Sequence, residues 1–178
     1  MLTISALILS IQATKAQTSL SGHISTNLTL SDACYELIGC VVVRSGATLT
    51  IPAGTVILGD KASQGTLIIE RGAKLIANGT STNPIVFTSG EAAGNRAPGD
   101  WGGIIICGNA PTNLCCENFV IELPCGCIQA GGSNTDDNSG SLQYVQIHYG
   151  GGSLAIGNAV GSLTLAGVGR STRLTISR

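Results

Sequence analysis

Charge is scarce in this chain: Asp, Glu, Lys and Arg make up 11% of its 178 residues, less than half the share usual in globular proteins. Aromatics are scarcer still at 3%. Low charge alone would suggest disorder, but disorder also needs low hydrophobicity, and 43% of the residues are apolar. The nine bases and ten acids are scattered and leave a formal charge of −1. No basic stripe is available to neutralise phosphates, which argues against nucleic acid as a partner. Beyond the N-terminus no apolar tract reaches the roughly 18 residues of a membrane span. Helical periodicity is also missing after the first 16 residues.

The N-terminus differs from the rest of the chain. Leu2 to Ile11 is an apolar run broken only by Thr3, Ser5 and Ser10, followed by Ala13-Thr14-Lys15-Ala16. This reads as the apolar region and small-residue cleavage site of a signal peptide spanning 1–16, with the basic start missing; the competing reading is a first β-strand. No cysteine follows the cleavage site, which argues against a lipid anchor. Residues 17–178 then form one domain, of a size that buries a real core.

Seven cysteines suit an exported, oxidising destination. Cys107, Cys115, Cys116, Cys125 and Cys127 fall within 21 positions. Zinc would need chelating pairs two residues apart, and neither pair here has that gap. One or two disulfides closing the 115–127 loop are therefore expected in preference to metal. Cys34 and Cys40 stand too far apart to bridge if the chain between them is extended. An odd count leaves a thiol over, and Cys107, ending the run Ile104-Ile105-Ile106, is the expected buried one.

What the chain has in plenty is glycine, 25 residues, and a repeat. Leu49, Ile51, Gly54 and Ile57 match Leu67, Ile69, Gly72 and Leu75 at a shift of 18, and Val145 and Ile147 match Leu163 and Leu165 at the same shift. Between the glycines, apolar residues alternate as in strands with one buried face. Leu49/Ile51, Leu67/Ile69, Leu75/Ala77, Ile85/Phe87 and Val145/Ile147 point inward. Thr50, Ile68, Lys74, Val86, Gln146, His148, Thr164 and Ala166 point outward. Short strands with bends at fixed intervals predict a coil of stacked rungs, with Leu49 on Leu67 and Val145 on Leu163; the rival is an antiparallel sandwich. Residues 90–100 and 108–138 interrupt the coil as lateral loops, where function is expected to sit.

These segments resemble a known family. Gly46 to Gly59, Gly65 to Thr80, Pro84 to Thr88, Gly99-Asp100-Trp101-Gly102-Gly103, Gly108-Asn109-Ala110, Asp137 to Gly140, Tyr144 to Ile147 and Leu163 to Gly169 are similar, in order, to secreted pectin-lyase-like β-helix proteins of Bacteroidetes-type bacteria. The resemblance implies an all-β, right-handed, single-stranded parallel β-helix (a solenoid) with lateral loops, and export to the medium or the bacterial cell surface. It implies no agreed activity. Relatives carry an acid where this chain has Ala159, and they run on for further rungs, so the chain reads as shortened at the C-terminal end. An open last rung would favour end-to-end self-association.

The chemistry on offer is thin. Asp136, Asp137 and Asn138 place hard oxygens on a Gly-rich loop, as a calcium site requires; the plainer reading is an Asx-rich turn. No other cofactor is indicated. A glycoside hydrolase needs two carboxylates facing across a sugar bond, and the outward positions named above hold none. His148 has no acid partner in that register, and Glu117 and Glu122 in the cysteine loop are not paired by spacing. Trp101 reads either as a sugar-stacking platform or as packing where the first loop rejoins the coil. Tyr149-Gly150-Gly151-Gly152 is a bend, lacking the helix and Lys of a phosphate loop. The expected function is a non-catalytic secreted or cell-surface module, carbohydrate-binding, adhesive or structural, whose partner is an extracellular polysaccharide or surface component. The alternative is a fragment of a polysaccharide lyase or glycoside hydrolase.

Overall fold

One kind of turn builds several corners of this molecule. The N–H groups of Ala47, Thr55 and Ala73 donate to the carbonyls of Arg44, Pro52 and Glu70. In each turn the third residue is a glycine with positive φ: Gly46 (86°), Gly54 (81°) and Gly72 (83°). Only glycine adopts that conformation without strain. Short runs of Val, Ile, Leu and Thr between such turns become strands.

The computed structural model describes residues 17–113, 119–123, 125–155 and 158–175; the expected signal peptide at 1–16 and its cleavage site lie outside them. The strands are β1 (Thr18–Ile24), β2 (Leu28–Thr29), β3 (Cys34–Val43), β4 (Thr48–Ile51), β5 (Val56–Gly59), β6 (Thr66–Ile69), β7 (Lys74–Asn78), β8 (Ile85–Ser89) and β9 (Gly103–Cys107). They continue as β10 (Phe119–Leu123), β11 (Gly126–Ala130), β12 (Gly140–Gln143), β13 (Val145–Ile147), β14 (Gly152–Ala155), β15 (Asn158–Val160), β16 (Leu163–Ala166) and β17 (Arg173–Thr175).

Parallel pairing sorts most of these into three ladders. β3 is shared between two of them: Cys34 to Leu37 pair with β5, Cys40 to Val43 with β6. Gly39, at φ 60°, stands between the halves. The first ladder runs from the start of β1 through the first half of β3, β5, β8 and β13. The second runs from the end of β1 through the second half of β3, β6, β9 and β16. The third is β2, β4, β7, β12 and β17. The chain visits first, second and third in that order on every pass, which makes a coil of parallel rungs and rules out the antiparallel sandwich. Antiparallel pairing among the described residues is confined to two lateral hairpins, β10–β11 and β14–β15.

The rung register differs from the 18-residue shift. Leu49 pairs with Leu75, 26 positions on, while Leu67 pairs with Val41 and Ile104 in the second ladder. Val145 likewise lies in the first ladder beside Ile85, and Leu163 in the second beside Ile104. The self-match compared different corners, because the turn at Pro52–Thr55 leaves the third ladder and the same turn at Glu70–Ala73 enters it. Identical turns made unequal positions look equivalent.

Inward residues of all three ladders form one aliphatic core, including Leu37, Val41, Leu49, Ile57, Leu67, Ile69, Leu75, Phe87, Ile104 and Ile106. Trp101 belongs to it: fully buried, stacked on Phe87 at 6.3 Å, and donating from Nε1 to the His148 carbonyl at 2.8 Å. Gly59 makes room for it, since a Cβ there would lie 2.4 Å from the Trp101 side chain. Trp101 is packing, not a platform for sugar.

A second, smaller apolar cluster lies outside the second ladder. Val42, Ile68 and Ile105 project outward in register and are covered by Leu123, Ile128 and Ala130 of the β10–β11 hairpin, with Cys107 and Ala166 buried beside them. Ile68 and Ala166 are therefore outward of the coil, as alternation predicts, yet not open to solvent. The alternation shows which side of a strand a residue takes, and says nothing of a distant hairpin laid over that side.

The same hairpin corrects the cysteine pairing. Cys125 bonds to Cys40, on the outer side of β3, and not within the 115–127 loop; Cys115 and Cys116 lie outside the described residues. The pairing follows from the docking, which carries Cys125 to the edge of the second ladder, 85 positions from its partner in sequence. Cys34, Cys107 and Cys127 are free, and Cys107 is the buried one. Burial, with the Glu70 charge nearby, pushes its thiol up to about 12.

Candidate functional site

With the outer side of the second ladder covered, the third ladder presents an outer side of different chemistry. Its strands alternate, so Leu49, Leu75, Ala77 and Leu142 turn inward and their neighbours turn out. Thr29, Thr50, Ile76, Ser141 and Arg173 follow one another in register across all five strands. Beside this column Thr48 pairs with Lys74, and Asn78, Gln143 and Thr175 form another line. Adjacent strands stand about 4.7–4.9 Å apart, so each rung adds hydroxyl, amide or cationic groups to the strip, with Ile76 interrupting the central column. Ser141 Oγ donates to Asn78 Oδ1 at 2.9 Å, holding two neighbouring rungs in one arrangement. No carboxylate projects outward from these five strands.

Two clefts adjoin the strip and meet at Asn138. One, of about 490 Å³, is bordered by Ile76, Asn138, Ser141, Arg170 and Arg173. The other, of about 470 Å³, is bordered by Arg71, Lys74, Asn109, Asn134 and the 136–138 segment. A third cavity, about 410 Å³, lies at the last rung over Leu142, Val145, Ile147, Leu163 and Leu174, with the polar side chains of Thr80, Ser81, Tyr144, Gln146 and Thr175 at its border.

Asp136, Asp137 and Asn138 thus border the strip, and each is engaged. Asp136 forms an ion pair with Arg170 through two guanidinium nitrogens, Nε and Nη2. Asp137 is buried; its Oδ2 accepts from Ser139 Oγ at 2.8 Å and from the Gly169 N–H at 3.4 Å. Asn138 Oδ1 accepts from the Gly140 N–H at 3.0 Å, an Asx-type turn leading into β12. The three side chains share no partner. For calcium to bind here, Asp136 would have to exchange Arg170 for the ion.

Three further carboxylates are also spent on structure. Glu70 pairs with Arg44 at 2.9 Å and accepts from the Ser45 N–H. Asp60 is held below the usual carboxylate range by the Ser63 hydroxyl. Asp100, buried where the 90–100 loop rejoins the coil, accepts from the Ala97 N–H (2.9 Å), Ser89 Oγ (2.7 Å) and Lys61 (2.9 Å). These contacts, the Ala97 N–H foremost, lower its carboxyl to about 2. Because the folded value lies below the unfolded one near 3.9, Asp100 stabilises the loop above about pH 4, and that contribution fades as pH falls toward 2. Asp100→Asn should therefore lower the thermal midpoint at neutral pH, with the gap to the parent closing in acid. An equal gap at pH 7 and pH 2.5 would contradict it.

Of the outward residues expected from sequence, Thr50 and Lys74 belong to the strip. Gln146 and His148 are exposed at the first ladder, where His148 Nε2 lies 3.4 Å from Gln146 Oε1. Glu122 sits opposite Cys127 in the lateral hairpin, and Glu117 lies outside the described residues. Thr29, Asn78, Ser141, Gln143 and Arg173 were missed; the signal for them is their alternation with Leu28, Ala77, Leu142 and Leu174.

No curated protein and no solved structure matches this chain. Residues 22–176 match the family described as "Pectate-lyase like beta helix domain". That span takes in every described strand but the start of β1, and its coil of parallel ladders is the architecture the description names. The chain belongs to the pectate-lyase-like β-helix family.

Proposed function

We propose that this is a secreted or cell-surface carbohydrate-binding module, a right-handed coil that holds a polysaccharide against the outer side of its third ladder without cleaving it. The carboxylate-free outer strip carries the reading. Side chains of Thr, Ser, Asn and Gln can donate and accept at once, which suits sugar hydroxyls, and successive rungs add polar groups along the strip, which suits a polymer. Cleavage would need a positioned acid and base, and Glu70, Asp100 and Asp136 are each committed to a cation.

A second reading, a fragment of a polysaccharide lyase or hydrolase, is favoured by the family description. Incubation of the purified chain with pectin, alginate and neutral glycans separates the two. Retention on an immobilised glycan with no new reducing ends or unsaturated products is expected. Turnover that survives repurification would establish the second reading.

A further inference from the structure

We infer that the Cys40–Cys125 disulfide is a redox latch: reduction releases the β10–β11 hairpin and uncovers the apolar outer side of the second ladder, leaving the coil intact. The hairpin is a separate two-stranded sheet that hydrogen-bonds to no strand of the coil among the described residues. Isolated hairpins of this size are marginal in water. Among the described side chains, its apolar hold on the coil consists of Leu123, Ile128 and Ala130, with Ile121 partly buried. Polar ties come from Arg71, which donates to the Gly131 carbonyl at 2.9 Å and to Gln129 Oε1 at 3.1 Å. Both lie at the C-terminal root of the hairpin, where Gly131 N–H also meets the Gly108 carbonyl. The disulfide ties down the opposite end, at the turn between β10 and β11. The residues beneath, Val42, Ile68, Ile105 and the Cys107 thiol, are held from water by this cover while the inner core is sealed separately by the rungs.

The opening step is ordinary thiol–disulfide exchange. A thiolate of a dithiol reductant attacks one sulfur of the pair, forming a mixed disulfide as the other cysteine leaves as thiolate. The reductant's second thiol then displaces the protein sulfur. Two electrons pass to the protein, both cysteines end as thiols, and the reductant ends as its own disulfide.

Cys107 reports the opening. The full chain would be treated with iodoacetamide under native conditions, with and without dithiothreitol, and labelling read cysteine by cysteine by mass spectrometry. Amide exchange of β4 and β7 would be followed in parallel. In the oxidised chain Cys127 should label and Cys107 should not. After reduction Cys107 should label at least about tenfold faster while β4 and β7 amides stay slow, the pattern of a local opening. A Cys125→Ser variant should show the same Cys107 reactivity without reductant. Unchanged Cys107 labelling after reduction would overturn the latch. So would labelling that appears only when β4 and β7 also exchange, since the disulfide would then be a staple of the whole fold.

Discussion

Truncating Ile68 to alanine should destabilise the protein by about 2–3 kcal/mol, and truncating its neighbour Ile69 by about 2–5 kcal/mol. Both side chains are fully buried, though they point to opposite sides of β6. Ile69 enters the aliphatic core between the ladders, where rungs above and below prevent collapse of the space left behind. Ile68 meets the β10–β11 hairpin, which can settle toward the gap, so the loss is at the lower end. An outward residue open to water would change stability by no more than about 0.5 kcal/mol. Urea unfolding of the two variants decides the matter. A near-neutral Ile68→Ala would mean that the hairpin does not cover the second ladder in solution.

The second large effect concerns the third ladder. Gly140 opens β12 at φ 117°, and a Cβ built there would lie 2.0 Å from the Leu75 carbonyl oxygen. Alanine would meet both backbone strain and a carbonyl that cannot turn away, because Leu75 is fixed between Leu49 and Gly140 in the ladder. Gly140→Ala should cost about 3–5 kcal/mol. Gly46, at φ 86° with nothing within 4 Å of a Cβ placed there, supplies the comparison: Gly46→Ala meets strain alone and should cost about 1–2 kcal/mol. Equal losses in the two variants would mean that β12 is not in register with β7.

The strands, their inward faces and the parallel coil were legible in the sequence because they depend on alternation and turn chemistry, both local. Leu49, Leu67, Leu75 and Phe87 all turn inward as their spacing predicts. The order of stacking was not legible, because a single turn serves more than one corner and an excursion such as 108–138 lengthens one pass without marking the next. The disulfide was hidden for a related reason: Cys40 and Cys125 meet only because the hairpin folds back across the second ladder. The strip on the third ladder was half visible. Thr50 and Lys74 stood out beside regular strands, whereas Ser141 and Gln143 follow Asx-rich loop sequence and Arg173 lies in a strand of three residues.

Carbohydrate recognition on that strip is tested most directly by nuclear magnetic resonance titration of the labelled chain with oligosaccharides from a glycan that retains it. Shift changes are expected at Thr50, Lys74, Asn78, Ser141, Gln143 and Arg173, and a Lys74→Ala/Gln143→Ala double variant should weaken binding about tenfold or more, roughly two lost hydrogen bonds. Shift changes confined to the first ladder or to the 90–100 loop, with binding unaltered in the double variant, would contradict it.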